Sequence, residues 1–414
     1  MSALPSNAVL LSFEGPDPYS MVGGLGTRVT ELSAALANAG VRTTLVFVGD
    51  PELPSIERPA PNLEYRRWCQ WISKYHPANV YDGEHGKSND FRESVPEFVV
   101  DSIVEPAAAR GEDVLVIAED WQTAPAAIAL DGLLRMRALR DRAILMWNAN
   151  NTYGFDAIDW VALTRATMVT TVSRYMKFEL RARGLESLVI PNGIPERLVG
   201  GPASELVEEA NDALAIHPLF VKVGRYDEDK RWMQAIDAFA LVHDTHRQAM
   251  LVVRGGREPY GEAIFAHARA LGLNVQDVSV ASREPQALLE ALANAIGPIV
   301  NIRTFVPEDL LFALYHVADA VLANSGKEPF GLVGLEVMAA GGLAVTGATG
   351  EDYAQPFENA IVCDTADGRE LAAYLETILA NPALARSIRA AGEATAERYT
   401  WPIVLDILAR KLVF

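Results

Sequence analysis

Short apolar runs recur along this 414-residue chain, each followed by a helical stretch before the next run begins. The first is Val9 to Phe13, followed by a helix from about Thr27 to Ala37 and a second run at Thr43 to Val48. Val114 to Ala118, Ala143 to Trp147, Met168 to Val172 and Leu188 to Ile190 continue the series. A second series opens at Leu219 and runs through Met250 to Arg254, Ile299 to Ile302, Ala320 to Ala323, Leu343 to Thr346 and Ala360 to Cys363. Strands alternating with helices imply parallel sheets covered by helices on both faces. A chain this long exceeds the ~250–300 residues that a single core usually spans. The pattern therefore predicts two doubly wound, Rossmann-like α/β domains. Gly200, Gly201 and Pro202 precede an acidic helix-like stretch and place the boundary between 200 and 217, giving domains 1–205 and 206–395. Residues 51–105 show little periodicity and much Pro, Gly, His and Trp, and read as a long irregular insertion.

The segment ANSGKEPFGLVGLEVMAAGG places two carboxylates, Glu328 and Glu336, either side of a turn. Pro329 disfavours helix at Glu328, and Gly331 permits a backbone path that a larger residue resists. Helix is expected from Leu332, with Leu332, Leu335, Val337, Met338 and Ala339 on its buried side and Gly341 and Gly342 at its end. The start of such a helix is an anion seat, flanked here by groups that accept hydrogen bonds from hydroxyls. A nucleotide sugar offers both phosphates and hydroxyls. A second segment, HPLFVKVGRYDEDKRW, reads as a short strand followed by Arg225 and Lys230. Ligands of such sheets bind beyond the carboxyl ends of strands, where Arg can grip phosphate bidentately and Lys acts as a point charge. Taken alone, these cations are better explained by surface pairing with Asp227, Glu228 and Asp229, a preference that the two segments together reverse.

A net charge of −18 argues against a nucleic-acid partner. Cys69 and Cys363 are distant in sequence and fit a reducing cytoplasm better than a disulfide framework, and neither belongs to a metal-ligand cluster. The first twenty residues lack the basic region and apolar core of a signal peptide, and no run of ~18 apolar residues suggests a membrane span.

EPFGLVGLEVMAAG closely resembles the donor-binding segment of retaining GT-B glycosyltransferases, the large family-four group and its glycogen synthase relatives. The resemblance implies that Glu328 contacts the transferred sugar, that backbone around Phe330, Gly331 and Leu332 holds sugar and phosphate, and that Glu336 takes the ribose hydroxyls. It makes Arg225 and Lys230 the cations for the diphosphate. MVGGLG resembles the loop that these enzymes place over the donor phosphates, through Gly23, Gly24, Leu25 and Gly26. Glycogen synthases carry a Lys just before that glycine pair, where this chain has Met21 and Val22, with Arg28 nearby as a substitute charge. AEDWQTA is similar to the glycogen synthase HDWQTA segment, with Glu119 in place of the His, which lies near the transferred sugar in many relatives. Trp121 follows as a further acceptor-side candidate, although its plainest reading is core packing. WNANNTYGFDAIDW corresponds to an acceptor-side loop in which Asn148, Asn150, Asn151 and Tyr153 would meet sugar hydroxyls and rings, although turn formation explains the asparagines equally well. TTVSRY, PNGI, the base-side segment at Arg303 to Phe305 and the glycine loop TGATGEDY are further matches.

The resemblance implies a GT-B fold with an interdomain cleft, and a last segment, 396–414, that crosses back to the N-terminal domain. It also implies a metal-independent, retaining transferase without a cofactor, moving a hexose from a nucleoside diphosphate sugar to an acceptor hydroxyl. Trp68, Trp71, Tyr75, His76, Tyr81 and His85, suited to stacking on sugar rings and hydrogen bonding, point to a soluble sugar or small polyol as acceptor, although packing of the insertion explains them equally well. The expected setting is cytoplasmic, without integral membrane association. Met21 and Glu119, where relatives carry Lys and His, leave a non-catalytic nucleotide-sugar-binding descendant as the alternative. A GT-B phosphorylase is a second alternative.

Overall fold

The computed structural model describes residues 4–215 and 218–412. Ile216 and His217 of the expected boundary, and the ends of the first and last segments, lie outside the described residues. The chain forms two compact units, one of Met1–Pro195 with Thr400–Phe414 and one of Glu196–Tyr399. The sequence placed the divisions at 205/206 and 395/396.

The first unit is built on eight strands: β1 (Asn7–Leu11), β2 (Arg42–Val48), β3 (Ile56–Ala60), β4 (Leu63–Trp68), β5 (Val114–Glu119), β6 (Ala143–Ala149), β7 (Met168–Thr171) and β8 (Leu188–Val189). They lie in the order β3-β4-β2-β1-β5-β6-β7-β8. Every neighbouring pair is parallel except β3 with β4. Strand order reverses between β1 and β5, which is where a doubly wound sheet leaves a crevice at its carboxyl edge. The helix Gly24–Asn38 carries Leu25, Val29, Leu32 and Leu36 at helical spacing. Its apolar stripe packs with Trp401, Val404, Leu405 and Leu408 of the last helix, Trp401–Lys411, which therefore completes the core of the first unit.

Residues 51–105 are not an irregular insertion. They contain β3, β4 and a helix, Glu84–Val99. In β4 the inward positions are Leu63, Tyr65 and Arg67, and the buried Arg67 hides the period-two pattern. Its guanidinium is neutralised by Asp17 at 2.8 Å and by Glu57. In the helix, Phe91, Val95 and Val99 face the core, while the next turn along that face holds the fully buried Lys87. The Lys87 ammonium donates to Tyr19 Oη at 2.6 Å and to the Val80 carbonyl at 3.1 Å. Together with Pro96 inside the helix, it makes an amphipathic stretch read as loop.

The second unit holds β9 (Leu219–Val223), β10 (Met250–Arg254), β11 (Val275–Val278), β12 (Ile299–Ile302), β13 (Ala320–Ala323), β14 (Ala344–Thr346) and β15 (Ile361–Val362). Their order is β11-β12-β10-β9-β13-β14-β15, parallel throughout. Here the order reverses between β9 and β13. Phe220, Leu251, Val253, Leu322 and Val345 line the sheet beneath Trp232, Ile236 and Phe239 of the helix Trp232–Thr245. Among the described residues, no helix is long and apolar enough to cross a membrane.

Candidate functional site

In the second unit the two segments singled out by sequence meet at the reversal point. Lys230 lies in the turn after β9, Glu328 lies in the loop after β13, and their side chains form an ion pair. The residues are far apart in sequence, and adjacent parallel strands bring them together. The alternative partners for the two cations are not used: Asp227 caps its own turn by accepting from the Asp229 amide at 3.2 Å, and the exposed Arg225 guanidinium forms no ion pair among the described residues. Arg225 contributes its carbonyl instead, accepting from Trp232 Nε1 at 2.7 Å and tying the turn to the following helix.

The helix after Glu328 runs Leu332–Ala339, as the proline and glycines require. Gly331 has φ +82°, a conformation that excludes most residues. At the far end Gly341, φ +70°, donates to the Met338 carbonyl at 3.0 Å, and Gly342 donates to Val337 at 2.9 Å. Phe330 is buried against Tyr353 and Tyr399, with ring centroids 5.7 and 6.1 Å away. It anchors the loop through its side chain. Glu336 lies on the second turn of the helix, half-buried, and Leu332 is half-buried at its start. Arg303 is exposed just past β12, its amide bonded to the Val278 carbonyl at 2.8 Å.

Beneath the ion pair lies Lys222, 2 % exposed, on β9. Its ammonium donates to the Leu322 carbonyl at 3.0 Å and to Asn324 Oδ1 at 2.7 Å. Burial first, and then the nearby Lys230 charge, bring its pKa down to about 7. Across the loop lies Glu351, whose pKa burial and the neighbouring Glu328 carboxylate raise to about 7. Glu351 falls within the glycine loop TGATGEDY read from the sequence. The only signal for Lys222 was a Lys inside an otherwise apolar strand.

The glycine segment of the first unit differs from expectation. Gly24, Leu25 and Gly26 form the first turn of the helix rather than a loop, and Gly23 caps it without a side chain of its own. The anion seat is filled by the protein. Glu14, buried at the end of β1, accepts through Oε2 from the amides of Val22 at 3.3 Å, Gly23 at 2.9 Å and Gly26 at 2.9 Å. Its Oε1 accepts from Tyr81 Oη at 2.6 Å. Placing a carboxylate here satisfies the free amides of the helix and complements its dipole.

Glu119, expected near the transferred sugar, is fully buried at the end of β5. Both of its oxygens lie 3.2 Å from Arg28 Nε, and Oε2 also accepts from Asn148 Nδ2 at 2.9 Å and Asn150 Nδ2 at 2.7 Å. Arg28 is likewise enclosed, donating also to Asn192, so it lends no charge to the glycine segment. The acidic and basic substitutions seen in the sequence compensate each other inside the unit. Asn148 is saturated as well, accepting from Thr170 Oγ1 at 2.9 Å. Asn150 and Asn151 serve Asp120: the Asn150 amide donates to Oδ1 and Asn151 Nδ2 to Oδ2, each at 2.8 Å. Asp120 holds φ +62°, rare for a residue with a side chain, and burial lifts its pKa to about 7. Trp121 is half-buried, and its ring leaves no space for a side chain at Gly154, where an added Cβ would approach within 2.3 Å. Tyr153, 74 % exposed, is the most exposed member of the expected acceptor set, with Asn150, Asn151 and Trp121 half-buried and Asn148 buried. The three asparagines also bind the carboxylates at the end of β5.

Among the described residues no group of three or more His, Cys, Asp or Glu side chains is placed to hold a metal ion. Residues 208–395 match the model of the family described as Glycosyl transferases group 1. Over 104 residues, 24 % of this chain and about a quarter of the relative's length (25 %), the sequence is 38 % identical to glycogen synthase of Mycobacterium tuberculosis. Across the whole fold, sucrose-phosphate synthase from Thermosynechococcus elongatus matches with a TM-score of 0.68 at 20 % identity, covering 98 % of this chain and 99 % of that one. The Anabaena protein HepE in complex with UDP matches with a TM-score of 0.65 at 16 % identity, covering 98 % and 99 %. Residues 208–395 are thus similar to the group 1 glycosyl transferases, and the two parallel-sheet units have the GT-B fold.

Proposed function

We propose that this protein is a retaining, metal-independent glycosyltransferase that moves a hexose from a nucleoside diphosphate sugar to a hydroxyl of a soluble sugar or small polyol. The observation that carries this reading is the Lys230–Glu328 pair astride the β9/β13 reversal. It sets a phosphate-binding cation beside a carboxylate suited to sugar hydroxyls, next to the N terminus of the helix Leu332–Ala339. Their side chains are 26 % and 19 % exposed, so the pair is reachable from solvent. In this reading a diphosphate displaces Glu328 from Lys230. Arg225, without an ion pair of its own, adds the second cation. In this reading both cations stabilise the leaving diphosphate, which is where negative charge develops during transfer. The freed Glu328 turns to the sugar, Glu336 to the ribose, and the exposed Arg303 segment to the base. UDP is the first donor nucleotide to test, because HepE is described in complex with it.

Lys230→Ala and Glu328→Ala are each expected to lower turnover by about a hundredfold or more, with the melting temperature nearly unchanged. Near-normal turnover in both variants would sink the assignment. The donor is named by a thermal-shift panel of UDP, GDP and ADP with their glucose and mannose conjugates, since a ligand bound only by the folded state stabilises it.

One observation favours the alternative of a binding protein without transferase activity. The amides that relatives would lend to the donor phosphates are taken here by Glu14. A nucleotide sugar that binds but is neither hydrolysed nor transferred to any sugar or polyol acceptor would select that reading.

A further inference from the structure

The loop Gly347–Tyr353 is fastened onto the loop that carries Glu328. The Glu328 amide donates to Thr349 Oγ1 at 2.9 Å, and the Glu328 carbonyl lies 3.2 Å from the same hydroxyl. Tyr353 Oη donates to the Gly331 carbonyl. Gly350 sits so close that a Cβ there would lie 2.2 Å from the carbonyl oxygens of both Glu328 and Pro329. Between the loops lies the Glu351 side chain, 6 % exposed. Its Oε2 accepts from the Thr349 amide at 3.1 Å, whereas its buried Oε1 has no hydrogen-bond partner. A Cβ on Gly331 would meet Glu351 Cγ at 2.6 Å, so this carboxyl fills the space behind the donor-loop glycine.

A buried carboxyl with an unsatisfied oxygen is tolerated when neutral and costly when charged. The titratable groups around it reinforce that preference. Glu328 faces it from the opposite loop, and Tyr353 from its own loop, with Glu336 and Tyr399 facing the Tyr353 phenol. The neighbouring cation, Lys230, is engaged by Glu328. We propose that Glu351 is a positioning residue for Glu328, holding the two loops together while its carboxyl is neutral and letting them part when it ionises. The role rests on the proposed transferase reading, but the loop behaviour does not. Burial and Glu328 raise the pKa of Glu351 to about 7, so ionisation falls in the range where such an enzyme would be assayed. The sign follows from linkage. A carboxyl whose pKa is raised in the closed state favours closure fully below the ordinary carboxyl range, and that support is lost as pH rises to about 7.

Hydrogen exchange of the full chain, followed in peptides covering 326–332 and 347–354 and corrected for intrinsic rates, tests this directly. In the wild type, protection of both loops is expected to fall about tenfold between pH 6 and pH 8.5. In Glu351→Gln it stays level. No pH-dependent loss in the wild type overturns the proposal, and so does the same loss in a folded Glu351→Gln. Thr349→Val, which removes the hydroxyl between the loops, is expected to lower protection already at pH 6. Donor KM with UDP-glucose then separates the two readings. If UDP-glucose binds, the KM of the wild type rises over the same pH interval and that of Glu351→Gln does not. If it fails to bind at any pH while the exchange result holds, the transferase reading falls and the loop device stands.

Discussion

At the residue scale, the informative side chains are charged groups in places where charge is costly. Lys222 is the clearest case. Its pKa is lowered on folding, so the folded chain holds the proton less readily than the unfolded one. The resulting penalty is complete below about pH 7 and is relieved as pH rises toward the ordinary lysine range. The stability difference between wild type and Lys222→Met, measured by urea denaturation, is therefore expected to shift in favour of the wild type from pH 7 to pH 8.5. A difference independent of pH would show that Lys222 is accommodated as a cation. Substituting it also leaves the Leu322 carbonyl and Asn324 Oδ1 without their donor, a loss that does not depend on pH. The exchange of a His for Glu119 belongs to the same class. From the sequence it resembles a change of function, and in the fold it is half of a buried pair with Arg28. Sequence shows which residue is present but not its partner, because the two are drawn together only by the sheet.

At the element scale, strands with uniform apolar runs and helices with regular stripes were legible. The segment from Glu328 to Gly342 was legible almost to the residue, because Pro329, Gly331, Gly341 and Gly342 constrain the backbone by themselves. What escaped notice was amphipathic structure carrying a buried charge, as in β4 with Arg67 and the helix Glu84–Val99 with Lys87. The edge strand β11 escaped for another reason: Gln276 and Asp277 dilute its apolar character. The helix Gly24–Asn38 was placed three residues late, because its first turn is glycine-rich and its cap comes from Glu14, ten residues upstream in Gly24's terms. Removing that cap has a measurable cost. Glu14→Ala is expected to destabilise the first unit by about 1–2 kcal/mol, in the range of lost helix caps, with Glu14→Gln falling between it and the wild type. Equal stability of all three in urea denaturation would mean that solvent serves those amides equally well.

At the scale of the whole molecule, the first unit is closed by the last helix, whose Trp401, Val404, Leu405 and Leu408 share its core. Ending the chain at residue 399 is expected to unfold the first unit and leave the second with its own cooperative transition. Calorimetry of the shortened chain checks this, and two surviving transitions would contradict it. The fastening of that helix is local and specific. Ile194 bridges Thr400, the Trp401 amide donates to the Ile194 carbonyl at 3.0 Å, and a Cβ on Gly193 would strike the Trp401 ring at 2.5 Å. The chain thus leaves the first unit and re-enters it at a single spot, and residues 196–399 are an insertion with neighbouring attachment points. Such an arrangement is portable: a few flexible residues joining 195 to 400 would excise the insertion, and the same seam would accept the corresponding piece of another chain.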